Sequence, residues 1–263
     1  MLTPAWTSIS RSDHGEDAGL RFGDKGTHTS RTIMLAELRD TLAVVPAKAD
    51  RQTYAAAIVE DNILGKNTVS TRRLTNQRLG ELYGLDQRIP VFRVLRRLWE
   101  VDESGRPLLA LLCALARDPL LRATAPAILT LADGQELVRS AFVEQIRDTT
   151  GDRFNDSILD KVARNAASSW TQSGHLEGRV RKKRRRVQTT PGAVALAFWL
   201  GSLEALSGEQ LLTTFWARVF DGGGSALLDA ATRARQLGLV HIRVGGQVIE
   251  IDATMVDPFA EIG

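Results

Sequence analysis

Nine consecutive residues, Leu108 to Ala116, carry no polar side chain. Pro107 suits the first turn of a helix, and Arg117-Asp118-Pro119 ends it. A helix that is apolar all round has to be enclosed on every side, so this stretch must lie at the centre of a core. A second run, Ala193 to Leu200, follows Thr190-Pro191, which reads as a cap and a first-turn proline. It is far shorter than the ~20 residues that cross a bilayer, and no membrane role is expected.

Other helical periods surround these runs. Ile33, Leu35, Leu38 and Leu42 share a face that Val45-Pro46 ends. Tyr54, Ala55 to Ala57 and Ile58 give the next helix, and Gly65-Lys66-Asn67 a turn. Ser70 is placed to cap a helix carrying Leu74, Leu79 and Leu82 that stops near Gly84. Pro90 opens another, with Val91, Val94, Leu95, Leu98 and Trp99 on one side, and two more are expected before about residue 148. No fixed repeat stands out. Residues 31–150 thus read as an all-α helical bundle. Residues 1–30, polar and without an apolar period, read as a flexible N-terminal tail.

Charge is unevenly distributed. The net charge is only +3, yet residues 151–190 hold ten Lys/Arg against four Asp/Glu, and residues 191–263 hold four against eight. A local positive field of this kind fits a polyanion partner. Seven of the eight residues from Arg179 to Arg186 are basic. Before them, Ile158, Leu159, Val162, Ala166 and Trp170 recur at helical steps. Asn155 or Asp156 can cap that helix, and Gly174 can end it. Leu176, Val180 and Val187 can then turn inward while the cations project. Residues 151–190 read as a helix plus a basic β-wing. Arg179, Arg181, Lys182, Lys183, Arg184, Arg185 and Arg186 would hold phosphates, which positions a protein without reading bases. Lys161 and Arg164, with Asn165, Ser168, Ser169 and Gln172, would face a groove. Lys66, Arg72, Arg73 and Arg78 form a second basic group. A solvated loop, a localisation tag or a site for an acidic protein are the other readings of the run.

Residues 191–263 read as a C-terminal winged-helix module. Helices are expected over 191–206 and 208–219, the second capped by Ser207. Ser225 would cap a third that ends at Gly238. Val240, Ile242, Val244 and Val248 flank a Gly245-Gly246 turn, and Ile249 to Ile251 return. This module is acidic overall; only Arg233, Arg235 and Arg243 could meet a phosphate, and winged helices also dock proteins. The fold class is thus mainly α, an N-terminal helical bundle followed by winged helix-turn-helix elements with short β-hairpin wings.

Glu60-Asp61-Asn62-Ile63-Leu64-Gly65-Lys66-Asn67, Ser70 to Arg73 and Gln77-Arg78-Leu79 resemble the BrxA family of accessory proteins in bacterial BREX phage-defence systems. Ala116-Arg117-Asp118 and Thr190-Pro191 add to that likeness, which runs over residues 30–220. It implies an all-α core with winged-helix elements, double-stranded DNA as partner, other proteins of the same defence operon as possible partners, and no catalysis. It assigns no role to the basic run or the terminal hairpin.

Enzyme chemistry finds little footing. His14, His28, His175 and His241 show no metal-ligand spacing. No phosphate loop or nucleophile elbow occurs. Asp61-Asn62 is better placed to satisfy local backbone groups than to hold a metal with Glu60. Cys113, the only cysteine, lies in an apolar run and reads as a buried thiol; a single thiol permits no intrachain disulfide and fits a cytoplasmic protein. No enzyme activity, cofactor or metal is expected. A docking scaffold for a larger defence enzyme and an RNA-binding helical protein are the alternative functions.

Overall fold

The computed structural model describes residues 9–23, 25–245, 248–257 and 259. The chain is mainly helical, with two small antiparallel sheets. The helices are α1 (Asp13–Asp17), α2 (Leu35–Val44), α3 (Arg51–Val59), α4 (Val69–Tyr83), α5 (Pro90–Val101) and α6 (Arg106–Arg117). They continue as α7 (Pro119–Ala123), α8 (Ala125–Leu129), α9 (Arg139–Thr150) and α10 (Asp156–Gln172). After the hairpin strands β1 (Leu176–Glu177) and β2 (Lys183–Arg184) come α11 (Pro191–Ser202), α12 (Phe215–Arg218) and α13 (Gly223–Gln236). Strands β3 (His241–Gly245) and β4 (Val248–Asp252) follow. No helix among the described residues is long and apolar enough to cross a membrane.

The two apolar helices form the centre. Every residue from Leu108 to Arg117 in α6 is buried, and so is every residue from Gly192 to Gly201 in α11. They pack against each other and against α5, and α13 closes the far side of α11. The buried apolar cluster runs without a break from Ala18 to Val256. The bundle and the C-terminal segment therefore share one core. Cys113 is buried there, and burial pushes its thiol up to about 12.

Asp102 fastens the starts of both central helices. Its Oδ1 accepts from Gly105 N at 2.9 Å, before α6, and its Oδ2 from Gly192 N at 2.8 Å in the first turn of α11. Thr190 precedes that turn but makes no side-chain cap bond.

Several expectations need correction. Residues 9–30, other than residue 24, do not read as a tail in the structure, since Ala18, Leu20, Thr27 and His28 are buried; residues 1–8 and 24 lie outside the described residues. The polar letters of this segment are used inside, where sequence periodicity has nothing to detect. Helix α4 is capped by Thr68, whose side chain accepts from Thr71 N, and not by Ser70. The expected helix 208–219 is a 3-10 turn, Gly208–Thr213, followed by the short α12. Ser207 and Gln210 do form a capping box. Helix α13 begins at Gly223, two residues before Ser225. The terminal hairpin pairs His241 with Asp252 through Gly245 with Val248; Gly246 of its expected turn lies outside the described residues.

Candidate nucleic-acid interface

Asn155 caps α10, its side chain accepting from Ile158 N at 3.0 Å, and Gly174 ends the helix at φ 89°. The chain then turns into an antiparallel pair, Leu176 opposite Arg184 and Glu177 opposite Lys183. A third extended piece, 134–137, lies along the other edge of β2. Gly134 N donates to Arg184 O, Arg184 N to Gln135 O and Leu137 N to Lys182 O, each at 2.8 Å. The strip order is thus 134–137, then β2, then β1, with α9 and α10 between the first piece and β1 in the chain. Gly178 makes the tip possible. It has φ +96°, and a Cβ there would stand 2.2 Å from Arg181 O.

The strip divides the basic run into two classes. Arg184 is buried, its side chain 3% exposed, and its Nη2 lies 2.8 and 3.1 Å from the two carboxylate oxygens of Asp221. It also donates to Ile128 O and Arg185 O. Asp221 further accepts from Val187 N at 2.7 Å. Arg184 is therefore a structural anchor and is withdrawn from the phosphate-binding set. Its place on the inward side of β2 follows from strand alternation, which a run of like letters conceals. Val180, expected inside, is 90% exposed at the tip.

The other cations face outward. Arg179, Lys183 and Arg186 are exposed and enter no ion pair among the described residues. Arg181 reaches Glu136 at 2.7 Å and Arg185 reaches Glu177 at 3.4 Å, both as exposed pairs that are weak in water. The Arg181 bond holds the Glu136 carboxyl below its usual range. Lys182 is half-buried, donating to Thr171 Oγ1 at 2.8 Å, and burial lowers its pKa.

On α10, Ser157, Asp160, Lys161 and Arg164 are exposed, with Ser168 half-buried farther along. Three polar candidates face the other way. Ser169 is fully buried, Asn165 donates to His28 O at 2.9 Å, and Gln172 accepts from Leu35 N at 3.0 Å. All three hold the N-terminal segment and are not available to a groove. Between α9, α10 and the tip of the β1–β2 hairpin lies a cleft of about 250 Å³, lined by Leu137, Phe142, Ala163, Ala167 and Val180 and by Arg139, Arg164, Arg179 and Lys182. No carboxylate lines it, although Arg139 pairs at its outer edge with Asp160 at 3.1 Å. Sequence reading missed Arg139; it lies just after the edge piece 134–137, and only the strip brings it beside Arg179.

The second basic group does not form a surface of its own. Lys66 bonds Glu37 at 3.0 Å, Arg72 donates to Lys66 O and Val59 O, and Arg78 bonds Glu81 at 2.7 Å. Only Arg73 remains exposed. Asn62 accepts from Lys66 N at 2.8 Å, the local backbone role expected of it. Of the C-terminal cations, Arg233 donates to Thr189 O and Arg235 to Ile242 O.

A serine, a histidine and an aspartate also meet. His28 Nδ1 lies 2.7 Å from Asp118 Oδ2, and His28 Nε2 lies 2.8 Å from Ser169 Oγ. These residues are 0–1% exposed. Ser169 Oγ already accepts from Ile33 N and donates to Asn165 O, each at 2.9 Å. Burial works against the Asp118 carboxylate, but His28 and the backbone N–H groups of Leu121 and Thr27 hold its pKa down. Buried and with its serine engaged, this group ties residues 27–33 to α7 and α10; the arrangement is a clamp rather than a nucleophile. Among the described residues no group of three or more His, Cys, Asp or Glu is placed to hold a metal ion.

No protein-family model matches this chain, and no curated protein matches it.

Proposed function

We propose that this protein binds double-stranded DNA, without catalysis of its own, through a winged helix-turn-helix made by α8, the piece 134–137, α9, α10 and the β1–β2 wing. The observation that carries this reading is the acid-free cleft in which Arg139 and Arg164 of the two helices converge with Arg179 and Lys182 of the wing. The order of the strip and helices supports it, because such a motif puts its second helix and its wing on one face. In this reading Lys161, Arg164, Ser157 and Ser168 approach a groove, while Arg179, Arg181, Lys183 and Arg186 meet phosphates. Exchanging the exposed Arg181–Glu136 pair for a bond to phosphate costs little. The likeness to the BrxA family leads us to assign the protein an accessory role in phage defence of the BREX kind, acting in the cytoplasm beside proteins of the same operon.

A gel-shift titration across salt tests this. The triple variant Arg179→Ser, Lys183→Ser, Arg186→Ser should bind duplex DNA more weakly. Its log–log salt slope should be shallower by up to about 2.7, at about 0.9 for each phosphate that is no longer neutralised. Its melting temperature should stay near that of the parent, since these side chains are exposed. Arg184→Ala should instead lower stability, because it strands Asp221. An unchanged salt slope in the triple variant, with the protein folded, would overturn the proposal.

A further inference from the structure

A second cleft, of about 330 Å³, opens where the segment around Thr27 meets α4 and the end of α6. Its lining includes Arg21, Lys25, Arg78, Arg117 and Arg153, with Glu81 the one carboxylate among the described lining residues. Glu81 is already engaged. It accepts from Gln77 at 2.9 Å, from Arg78 at 2.7 Å and from Thr27 Oγ1 at 2.9 Å. Arg117 is buried, and its guanidinium donates to the carbonyls of Glu81, Gly19 and Gly80, at 3.1, 2.7 and 3.4 Å. Carbonyls orient a guanidinium but do not cancel its charge. Burial, and then the charge of Arg21 beside it, bring the Arg117 pKa down to about 10. Arg21 and Arg117 line the same cleft, and two arginines that share a cleft are stabilised by an anion placed between them.

We propose that this cleft is a binding site for a phosphate group carried on a small molecule, separate from the wing. Arg117 would supply a fixed, buried charge, Arg21 and Lys25 would close over the anion from the exposed side, and Thr29 lines the same cleft. The volume falls at the lower end of the about 300–1,000 Å³ of small-molecule sites, so a phosphate monoester fits the space better than a bare ion.

Isothermal titration of the full chain at fixed ionic strength tests this, with orthophosphate and a nucleoside monophosphate as separate ligands and chloride as the control. Saturable binding of the monophosphate is expected. Tighter binding of the monophosphate than of orthophosphate supports an ester-borne group; equal affinities would limit the site to the free anion and overturn the ester. The double variant Arg21→Gln, Lys25→Gln should weaken binding about tenfold or more, as expected for removing a charge-assisted hydrogen bond. Both side chains are exposed, so folding should persist and thermal melting will check it. The wing triple variant should bind the monophosphate as the parent does. No saturable binding, or binding that the cleft variant leaves unchanged or the wing variant abolishes, would overturn the proposal. The cleft and the DNA reading can thus fail separately.

Discussion

At the scale of single residues, the buried histidines carry consequences that no motif announces. His175 stands just before β1, fully buried, with Nε2 2.8 Å from Val219 O and Nδ1 2.9 Å from Ser173 Oγ. Burial, more than the opposing bond to Val219, brings its pKa down to about 4. In the unfolded chain it titrates near 6.5. Between those values the unfolded state binds the extra proton and the folded state does not. Stability therefore rises with pH through this window and falls as pH drops from 6.5 toward 4. The loss at the acid end should reach up to about 3 kcal/mol. Urea titrations from pH 7 to pH 4 check this, and His175→Gln should flatten that part of the profile. Neither His175 nor His28 was legible as a structural centre. A histidine's partners come from elsewhere in the chain, and its sequence neighbours do not reveal them. The cations of the basic run were legible as a group, but which of them points inward was not, since that depends on strand phase and on Asp221, far along the chain.

At the scale of elements, what could be read from the sequence was whatever a local period or stop signal encodes. Helices α5, α6 and α10 stand where prolines, glycines and apolar spacing put them, and α11 starts at Pro191 as expected but ends at Ser202, short of residue 206. The strip piece 134–137 was not foreseen: it is short, follows two brief helices, and exists only by pairing with β2. Capping shows the same limit. Asn155 caps α10 from the adjacent position, whereas the N–H groups at the start of α11 are satisfied by Asp102 from ninety residues away. Asp102→Ala should therefore cost about 1–2 kcal/mol, the range for losing a cap, with Asp102→Asn retaining part of it. Chemical denaturation of both variants checks this. Equal stability of Asp102→Ala and the parent would show that the cap contributes nothing.

At the scale of the whole molecule, the division into tail, bundle, wing and C-terminal module marks composition more than folding units. Compositional shifts at residues 30, 150 and 190 are real, but the apolar cluster crosses all of them. The N-terminal segment contributes Ala18, Leu20 and His28 to that cluster or to its polar clamp. A chain beginning at Thr32 should lose about 3 kcal/mol or more and melt on the order of 10 °C lower. Differential scanning calorimetry checks this; a melting point unchanged by the truncation would restore the reading as a dispensable tail. The acidic bias of residues 191–263 also gains a purpose here, since Asp221 belongs to it and anchors Arg184.

That anchorage has a bearing on synthesis. A nascent chain that has emerged only as far as Gln188 already displays every cation of the run, yet it lacks the carboxylate that orders them. The ion pair that orders the run is thus completed late, after more than thirty further residues have left the ribosome.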